Sequence, residues 1–295
     1  MRVLLLTDTH GKIDQINAFA AKYNAQACIH CGDIGLFDYE SIRSLPAEEL
    51  TKIIRHSPVS EDEKIQICSL SQAKMAEFLL ENHFAGTFED YLVSRKKFDI
   101  PVYAVWGNHE NIRIVNWLRK NPLPNLTFLD ETTTVVLGKV RFYGIGGDFH
   151  SKHLPMAEKS GIPWVKKQIK SSFWQYRKLV QLLDLCPSGE TRVQITHCDP
   201  LEVPFLQALS FRCKAALTCS GHMHRKEVLH WQNTGKAEEF LADYVRKYPE
   251  LNWHDMLKSS PERTVHHLNL PASFPLLLEI DGSDGSVQYF AHILD

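Results

Sequence analysis

Arg2-Val3-Leu4-Leu5-Leu6-Thr7-Asp8-Thr9-His10-Gly11 is followed, one helix length later, by Ala27-Cys28-Ile29-His30-Cys31-Gly32-Asp33. Each stretch is a short apolar run that ends in a polar group. A short run of Leu and β-branched residues with no turn signal reads as a buried strand. His10-Gly11 breaks the first strand, and Asp14 is placed to cap the helix that follows. That helix carries Ile16, Phe19, Ala20 and Tyr23, the i, i+3, i+4, i+7 stripe of one buried face. Strand, helix and strand in this order imply a right-handed crossover between parallel neighbours. The reading therefore sets Asp8, His10 and Asp33 side by side at the carboxyl ends of two adjacent strands.

Working outward, the same arrangement recurs three times. Pro101 to Trp106 reads as a strand and leads into Gly107-Asn108-His109-Glu110; Arg192 to Thr196 leads into His197; Ala215 to Ser220 leads into Gly221-His222-Met223-His224. In open α/β sheets, ligands gather where strands end, so loops distant in sequence can converge there. The convergent groups are Asp8, His10, Asp33, Asn108, His197, His222 and His224, with His109 beside the Asn. Any one of the 15 histidines is ordinarily a surface or core residue. Five ordered motifs at strand ends are a different matter. Mixed carboxylate, amide and imidazole ligands suit manganese, iron or zinc better than calcium or magnesium. Two such ions roughly 3.5–4 Å apart clamp the attacking and leaving oxygens of a phosphoryl displacement.

The rest of the chain frames this pattern. Leu36 to Asp99 reads as helical, with Glu48 to Arg55, Glu61 to Asn82 and Thr87 to Lys97 as candidates punctuated by Pro46, Pro58 and Gly86. Leu126 to Leu129, Thr133 to Leu137 and Val140 to Ile145 read as short strands, the last two joined by a Gly138-Lys139 turn. Trp164 to Leu185 and Val203 to Leu209 read as helices, Gly235 to Leu257 as a polar helical stretch. Arg263 to Leu270, Leu276 to Ile280 and Val287 to Ile293 are late strands. No repeat or low-complexity linker divides the chain, so residues 1–295 read as one domain, with residues 36–99 as a helical insertion within it. That insertion is expected either to cap the site or to serve as a structural or dimerisation element.

Composition narrows the partners. Hydrophobic content of 44% and charged content of 23% are those of a globular protein, and a net charge of −2 offers no global basic field for nucleic acid or an anionic membrane. The basic and aromatic residues between Lys159 and Lys178 fit an amphipathic helix, with Ile169, Phe173, Tyr176 and Val180 inward, better than a nucleic-acid surface. No run is long enough to span a membrane or form a signal-peptide core. Seven scattered cysteines read as reduced thiols of a cytoplasmic protein, and Cys28-x-x-Cys31 as buried structural cysteine.

Asp-x-His, Gly-Asp, Gly-Asn-His-Glu, a lone His and Gly-His-x-His together resemble the calcineurin-like metallophosphoesterase superfamily. The resemblance runs from Asp8 to His224. It implies an α/β fold, a four-layer α/β/β/α sandwich of two mixed sheets. It also implies roles. Asp8, His10, Asp33 and His224 would hold one divalent metal; Asp33, Asn108, His197 and His222 would hold the other, with Asp33 bridging. His109 would bind no metal and act as general acid while a metal-activated hydroxide attacks phosphorus. Glu110 is expected either to orient His109 or to play a plain supporting role. Protein phosphatases of the superfamily carry an Arg in the second motif and another before Gly-Asn-His-Glu. Here Gly32-Asp33-Ile34-Gly35-Leu36-Phe37 and Trp106 stand instead, which shifts the expectation toward phosphodiesters of nucleotide, RNA or DNA type. Arg113 or Arg225 could substitute. The Gly-Asn-His-Glu region also resembles lariat-RNA debranching enzymes, which have Cys where Asp8 stands. A phosphomonoesterase or protein phosphatase is the alternative. A non-catalytic scaffold fits less well, because the proton donor and all seven ligands are present.

Overall fold

A computed structural model describes residues 1–147, 163–224, 227–232, 264–281 and 284–290, together with Glu239, Ala242 and Arg246. The expected helical stretch at Gly235 to Leu257 lies outside the described residues apart from those three, as does Arg225. Among the described residues no helix is long and apolar enough to cross a membrane.

The opening unit forms as its sequence dictates. Strand β1 (Arg2–Leu6) pairs in parallel with β2 (Ala27–His30), Leu4 opposite Cys28, and α1 (Asp14–Tyr23) crosses between them. Asp14 is not the cap. Ile13 holds that position without a side-chain bond, and Asp14 begins the helix, where its carboxylate accepts from Tyr91 and Lys96. A carboxylate in the first turn still faces the positive end of the helix dipole. Two further parallel strands, β3 (Val102–Ala104) and β4 (Leu126–Phe128), extend the sheet, with α7 (Ile112–Lys120) between them. The sequence reading had passed over α7. On the other side β1 pairs antiparallel with β11 (Leu276–Ile280), which pairs with β12 (Val287–Phe290). The order in this sheet is β12-β11-β1-β2-β3-β4.

The second sheet contains β5 (Val135–Leu137), β6 (Val140–Ile145), β7 (Thr191–Thr196), β8 (Leu217–Ser220), β9 (Glu227–Gln232) and β10 (Thr264–Asn269), in the order β5-β6-β7-β8-β10-β9. Gly138-Lys139 forms the expected hairpin turn, with Leu137 opposite Val140. Both sheets are mixed. Helices α8 (Pro163–Asp184) and α9 (Pro204–Arg212) lie in this half.

Strand periodicity explains the layers. Successive side chains of a strand point to opposite faces. Val3 and Leu5 pack with Phe142, Val193, Ile195 and Leu268 in the cluster between the sheets. Leu4 and Leu6 pack the other way, against Ile13, Ile16 and Ala20 of the first crossover and Val115 and Leu118 of α7. Beyond the second sheet, Tyr143 and Ile145 meet Tyr176, Leu179 and Val180 of α8 and Leu206 and Leu209 of α9. The result is helices, sheet, sheet and helices. On α8, Tyr176 and Val180 are buried while Trp174 is exposed with Lys178 over its ring, as an amphipathic helix requires. All seven cysteines are free; burial pushes the Cys28 and Cys31 thiols well above their ordinary range, as expected of inert core residues.

Between β2 and β3 run five short helices: α2 (Tyr39–Ser44), α3 (Ala47–Arg55), α4 (Glu61–Cys68), α5 (Gln72–Glu81) and α6 (Phe88–Leu92). Two of the expected helices are shorter. The run Glu61 to Asn82 is broken at Ser69-Leu70-Ser71, where Ser69 Oγ donates to the Gln66 carbonyl at 2.6 Å and a new helix starts from Ser71. Serine hydroxyls compete with the helical ladder in this way. The run from Thr87 ends at Leu92, and Ser94 takes a left-handed φ of 61° as the chain turns. Helix α2 was not expected; Asp38 and Ser41 form a reciprocal capping box at its start. Four of them, α2 to α5, share a hydrophobic cluster of their own, built on Ile42, Leu50, Ile54, Met75 and Leu79, while Phe88 and Tyr91 of α6 pack with Leu4 and Leu6 of β1.

Candidate active site

All seven proposed ligands and His109 converge at the carboxyl ends of β1, β2, β3, β7 and β8. They form two adjoining groups. In one, Asn108 Oδ1 lies 2.9 Å from His197 Nε2 and 3.0 Å from His222 Nδ1. The two imidazole nitrogens are 3.2 Å apart, and Asp33 Oδ2 is 3.2 Å from His197 Nε2. In the other, His224 Nε2 lies 3.1 Å and His10 Nε2 4.0 Å from Asp8 Oδ1. Candidate ligand atoms of Asp8, Asp33 and His197 lie within 4.8 Å of one another, so the two groups touch through the carboxylates.

The backbone holds this arrangement at a cost. Asp8, His10, Asp33, His222 and His224 all have left-handed φ, between 45° and 66°. Non-glycine residues seldom adopt that region, and they do so mainly where surrounding structure forces them. The glycine before Asn108 is equally determined. A Cβ on Gly107 would sit 2.0 Å from Asp33 Oδ1, so only glycine lets the two loops approach.

Hydrogen bonds aim the ligands. Thr7 Oγ1 donates to Asp8 Oδ2 at 2.6 Å, and the His222 N–H donates to the same oxygen at 3.1 Å. Asp8 Oδ1 thus remains free to face His224. The His109 N–H donates to Asp33 Oδ1 at 2.8 Å, leaving Oδ2 toward His197. His197 Nδ1 lies 3.0 Å from the Cys31 carbonyl, an acceptor, so Nδ1 carries a proton and Nε2 is the atom turned toward the centre. Thr7 and the Cys31 carbonyl were not singled out from sequence; a hydroxyl beside Asp and a strand-end carbonyl carry no distinctive spacing.

Glu110 does not orient His109. Its carboxylate accepts from the backbone N–H groups of Gly107, Ile34 and Gly35, tying the Asn108 loop to the Asp33 loop. Burial and the Asp33 charge push this carboxyl up to about 8, against the pull of the Gly107 and Gly35 N–H groups. The acidic group near the His109 ring is Asp33, whose Oδ2 is 3.9 Å from His109 Nε2.

Electrostatics mark the centre as a place for cations. Burial raises Asp33, but His197, His109 and His10 outweigh it and hold the carboxyl well below its usual range. Burial lowers His197, yet the charge and hydrogen bond of Asp33 win, and its pKa stands at about 9. Burial together with His56 pushes His10 down to about 3, a neutral ring suited to ligation. His10 Nε2 is buried without any hydrogen-bond partner. An orphaned buried nitrogen, three candidate ligand atoms within about 3 Å of one another and two carboxylates are what divalent cations would satisfy once His197 gives up its proton.

A further residue at this centre was missed. His56, at the end of α3, stacks on His10 with ring centroids 3.8 Å apart and planes at 12°. Its centroid lies 5.3 Å from that of His109. Nothing in Arg55-His56-Ser57-Pro58 signals this, because the contact is made by packing of distant helices. Arg113 lines a separate cavity of 520 Å³ with Asp38, Asn111 and Trp117.

The sequence pattern of calcineurin-like phosphoesterases matches residues 1–226. Solved structures similar to this chain include a dimetal phosphatase from Danio rerio, at 10% identity over 94% of this chain and 92% of that one, TM-score 0.43. The phosphoesterase YfcE from E. coli is 14% identical over 99% of each chain, TM-score 0.35. An archaeal phosphodiesterase is 13% identical over 98% of this chain and 99% of that one, TM-score 0.33. Likenesses this remote carry no argument of their own. No curated protein is similar enough to match. The match over residues 1–226 is what decides the matter: this chain belongs to the calcineurin-like phosphoesterases, metal-dependent hydrolases of phosphoric esters.

Proposed function

We propose that the chain hydrolyses phosphodiesters, of nucleotide or nucleic-acid type, at a pair of divalent cations, with manganese the favoured metal and iron or zinc as substitutes. The carrying observation is the convergence of Asp33 Oδ2, Asn108 Oδ1, His197 Nε2 and His222 Nδ1 beside the Asp8, His10 and His224 group. Asp8, His10, Asp33 and His224 would hold one cation and Asp33, Asn108, His197 and His222 the other. Bound there, the cations supply Lewis-acid polarisation of the phosphoryl group and acidify a water.

The chain's own residues supply the rest. His109 is the general acid. Its backbone N–H on Asp33 fixes the loop, and its ring lies close enough to Asp33 Oδ2 to be steadied by that charge. Burial lowers its pKa in the resting site. An arriving phosphoester adds negative charge and favours the protonated ring, which then gives its proton to the leaving-group oxygen.

The preference for diesters rests on what stands where an arginine fork would be. Leu36, Phe37 and Trp106 are buried and apolar. Arg119 does pack over the Trp106 ring, but its guanidinium is held by Asp130 and Glu131. A monoester dianion would want a bidentate arginine; a diester monoanion needs it less. We take residues 36–99 to be a helical cap on this site within a single domain.

The test compares bis- and mono-p-nitrophenyl phosphate with added manganese. Faster turnover of the diester is expected, and His109→Ala should retain metal yet lose roughly 10²- to 10⁴-fold in kcat. A strong monoester preference overturns the diester assignment; a fully active His109→Ala overturns the general acid.

A further inference from the structure

The helical segment does more than lie beside the metal loops. Its own core buries Leu50 and Ile54 of α3, which fixes the helix end that carries His56. The His56 N–H donates to the Ile53 carbonyl at 3.1 Å, and Ser57 Oγ donates to the Ile54 carbonyl at 2.6 Å. The segment is then joined to the His10 loop backbone to backbone. The Thr87 N–H donates to the Gly11 carbonyl at 3.1 Å, and a Cβ on Gly86 would lie 2.5 Å from Gly11 Cα.

This framework delivers an imidazole to the edge of the site. His10, His56 and His109 offer ring nitrogens that all lie within 4.8 Å of one another. The three rings line one small cavity of 20 Å³, walled otherwise by Gly35, Phe37, Ile53, Phe84 and Ala85. That volume is about one water molecule's worth of accessible space. Stacking engages the face of the His56 ring and leaves its polar edge unused. Among the described residues no protein group donates to or accepts from its ring nitrogens. The ring is also partly exposed, so a solute can reach it.

We propose that His56 is a further substrate-contacting residue: its ring N–H donates a hydrogen bond to a phosphoryl oxygen of the bound ester, beside His109. The inference rests on the phosphoesterase site described above. It gives the helical segment a chemical part in the reaction, offering one donor on the side of the site where Phe37 leaves no arginine.

Three variants separate contact from support. His56→Phe keeps a flat ring for His10 and removes the nitrogens; His56→Gln restores a side-chain N–H; His56→Ala removes both. Each is measured for metal per chain by elemental analysis, for orthophosphate affinity by calorimetry on manganese-loaded protein, and for kcat/KM on bis-p-nitrophenyl phosphate. The expected result for His56→Phe is unchanged metal content, with orthophosphate affinity and kcat/KM each down roughly tenfold to a hundredfold. His56→Gln should regain part of the loss. Wild-type phosphate affinity in His56→Phe would reduce the residue to a stacking partner and overturn the proposal, and so would loss of metal in that variant. If the wild-type protein cleaves no diester but His56→Phe still weakens orthophosphate binding, the diester assignment fails and the His56 contact stands.

Discussion

The strand-end loops and the five-helix segment reach one centre by different means. The loops place their candidate ligands through short-range rules: a strand stops, a residue turns left-handed, and a neighbouring N–H fixes one carboxylate oxygen so that the other faces inward. The segment places His56 through a hydrophobic core of its own and a glycine-to-glycine seam. The difference teaches that a site can have one wall written residue by residue and another set by how a distant body packs. Disturbing the first should change metal binding. Disturbing the second should change substrate binding while the metals stay.

Glu110→Ala offers the largest effect on the loop side. It removes the acceptor shared by the Gly107, Ile34 and Gly35 N–H groups. Metal affinity should fall roughly 10- to 100-fold, as for other groups that support ligands. The fold should lose about 1–3 kcal/mol for each donor left dry, read as a lower Tm. Unchanged metal affinity would mean that the two loops hold together without this tie.

A smaller effect follows from the pairing of His197 with Asp33. The His197 pKa is raised from 6.5 to about 9 in the metal-free fold. A raised imidazole contributes stability that is complete below its unfolded value and lost as pH climbs through the folded one. Metal-free protein should therefore lose Tm between about pH 6.5 and about pH 9. Cation binding needs the neutral ring, so its affinity should run the opposite way, gaining about tenfold per pH unit in that window. Affinity that stays flat with pH would show that His197 does not bind the cation in competition with a proton.

The smallest expected effect lies in the seam. Gly86 has a φ of 91°, and a side chain there meets the Gly11 backbone. Gly86→Ala should cost about 1–3 kcal/mol. Hydrogen exchange should accelerate in α2 to α5 and leave β1, β2 and β3 protected. Equal acceleration throughout would merge the two regions into one cooperative unit.

Much of this molecule could be read before it was folded. Arg2 to Leu6 was legible as a buried strand, and the five motifs at strand ends contain the seven candidate ligands and His109 that converge there; Thr7 and His56, which also meet them, gave no signal. Two helices, Tyr39–Ser44 and Ile112–Lys120, escaped because their starts lean on Asp38 and Asn111 caps rather than on a long apolar stripe. The break at Ser69 escaped because local serine bonds override a pattern that continues through it. Glu110 was visible as part of a motif, but its target was not: the N–H groups it binds belong partly to Ile34 and Gly35, far away in the chain.

The amino-acid order alone thus determined the α/β class, the donor inventory and the family, because strand periodicity and ligand chemistry are local properties of residues. Only the tertiary structure decided which carboxylate oxygen faces which imidazole, what Glu110 holds, and that a histidine from the end of α3 stands against His10. Those are distances between segments far apart in sequence, fixed by the packing of two sheets and a helical body, and no short stretch of residues encodes them.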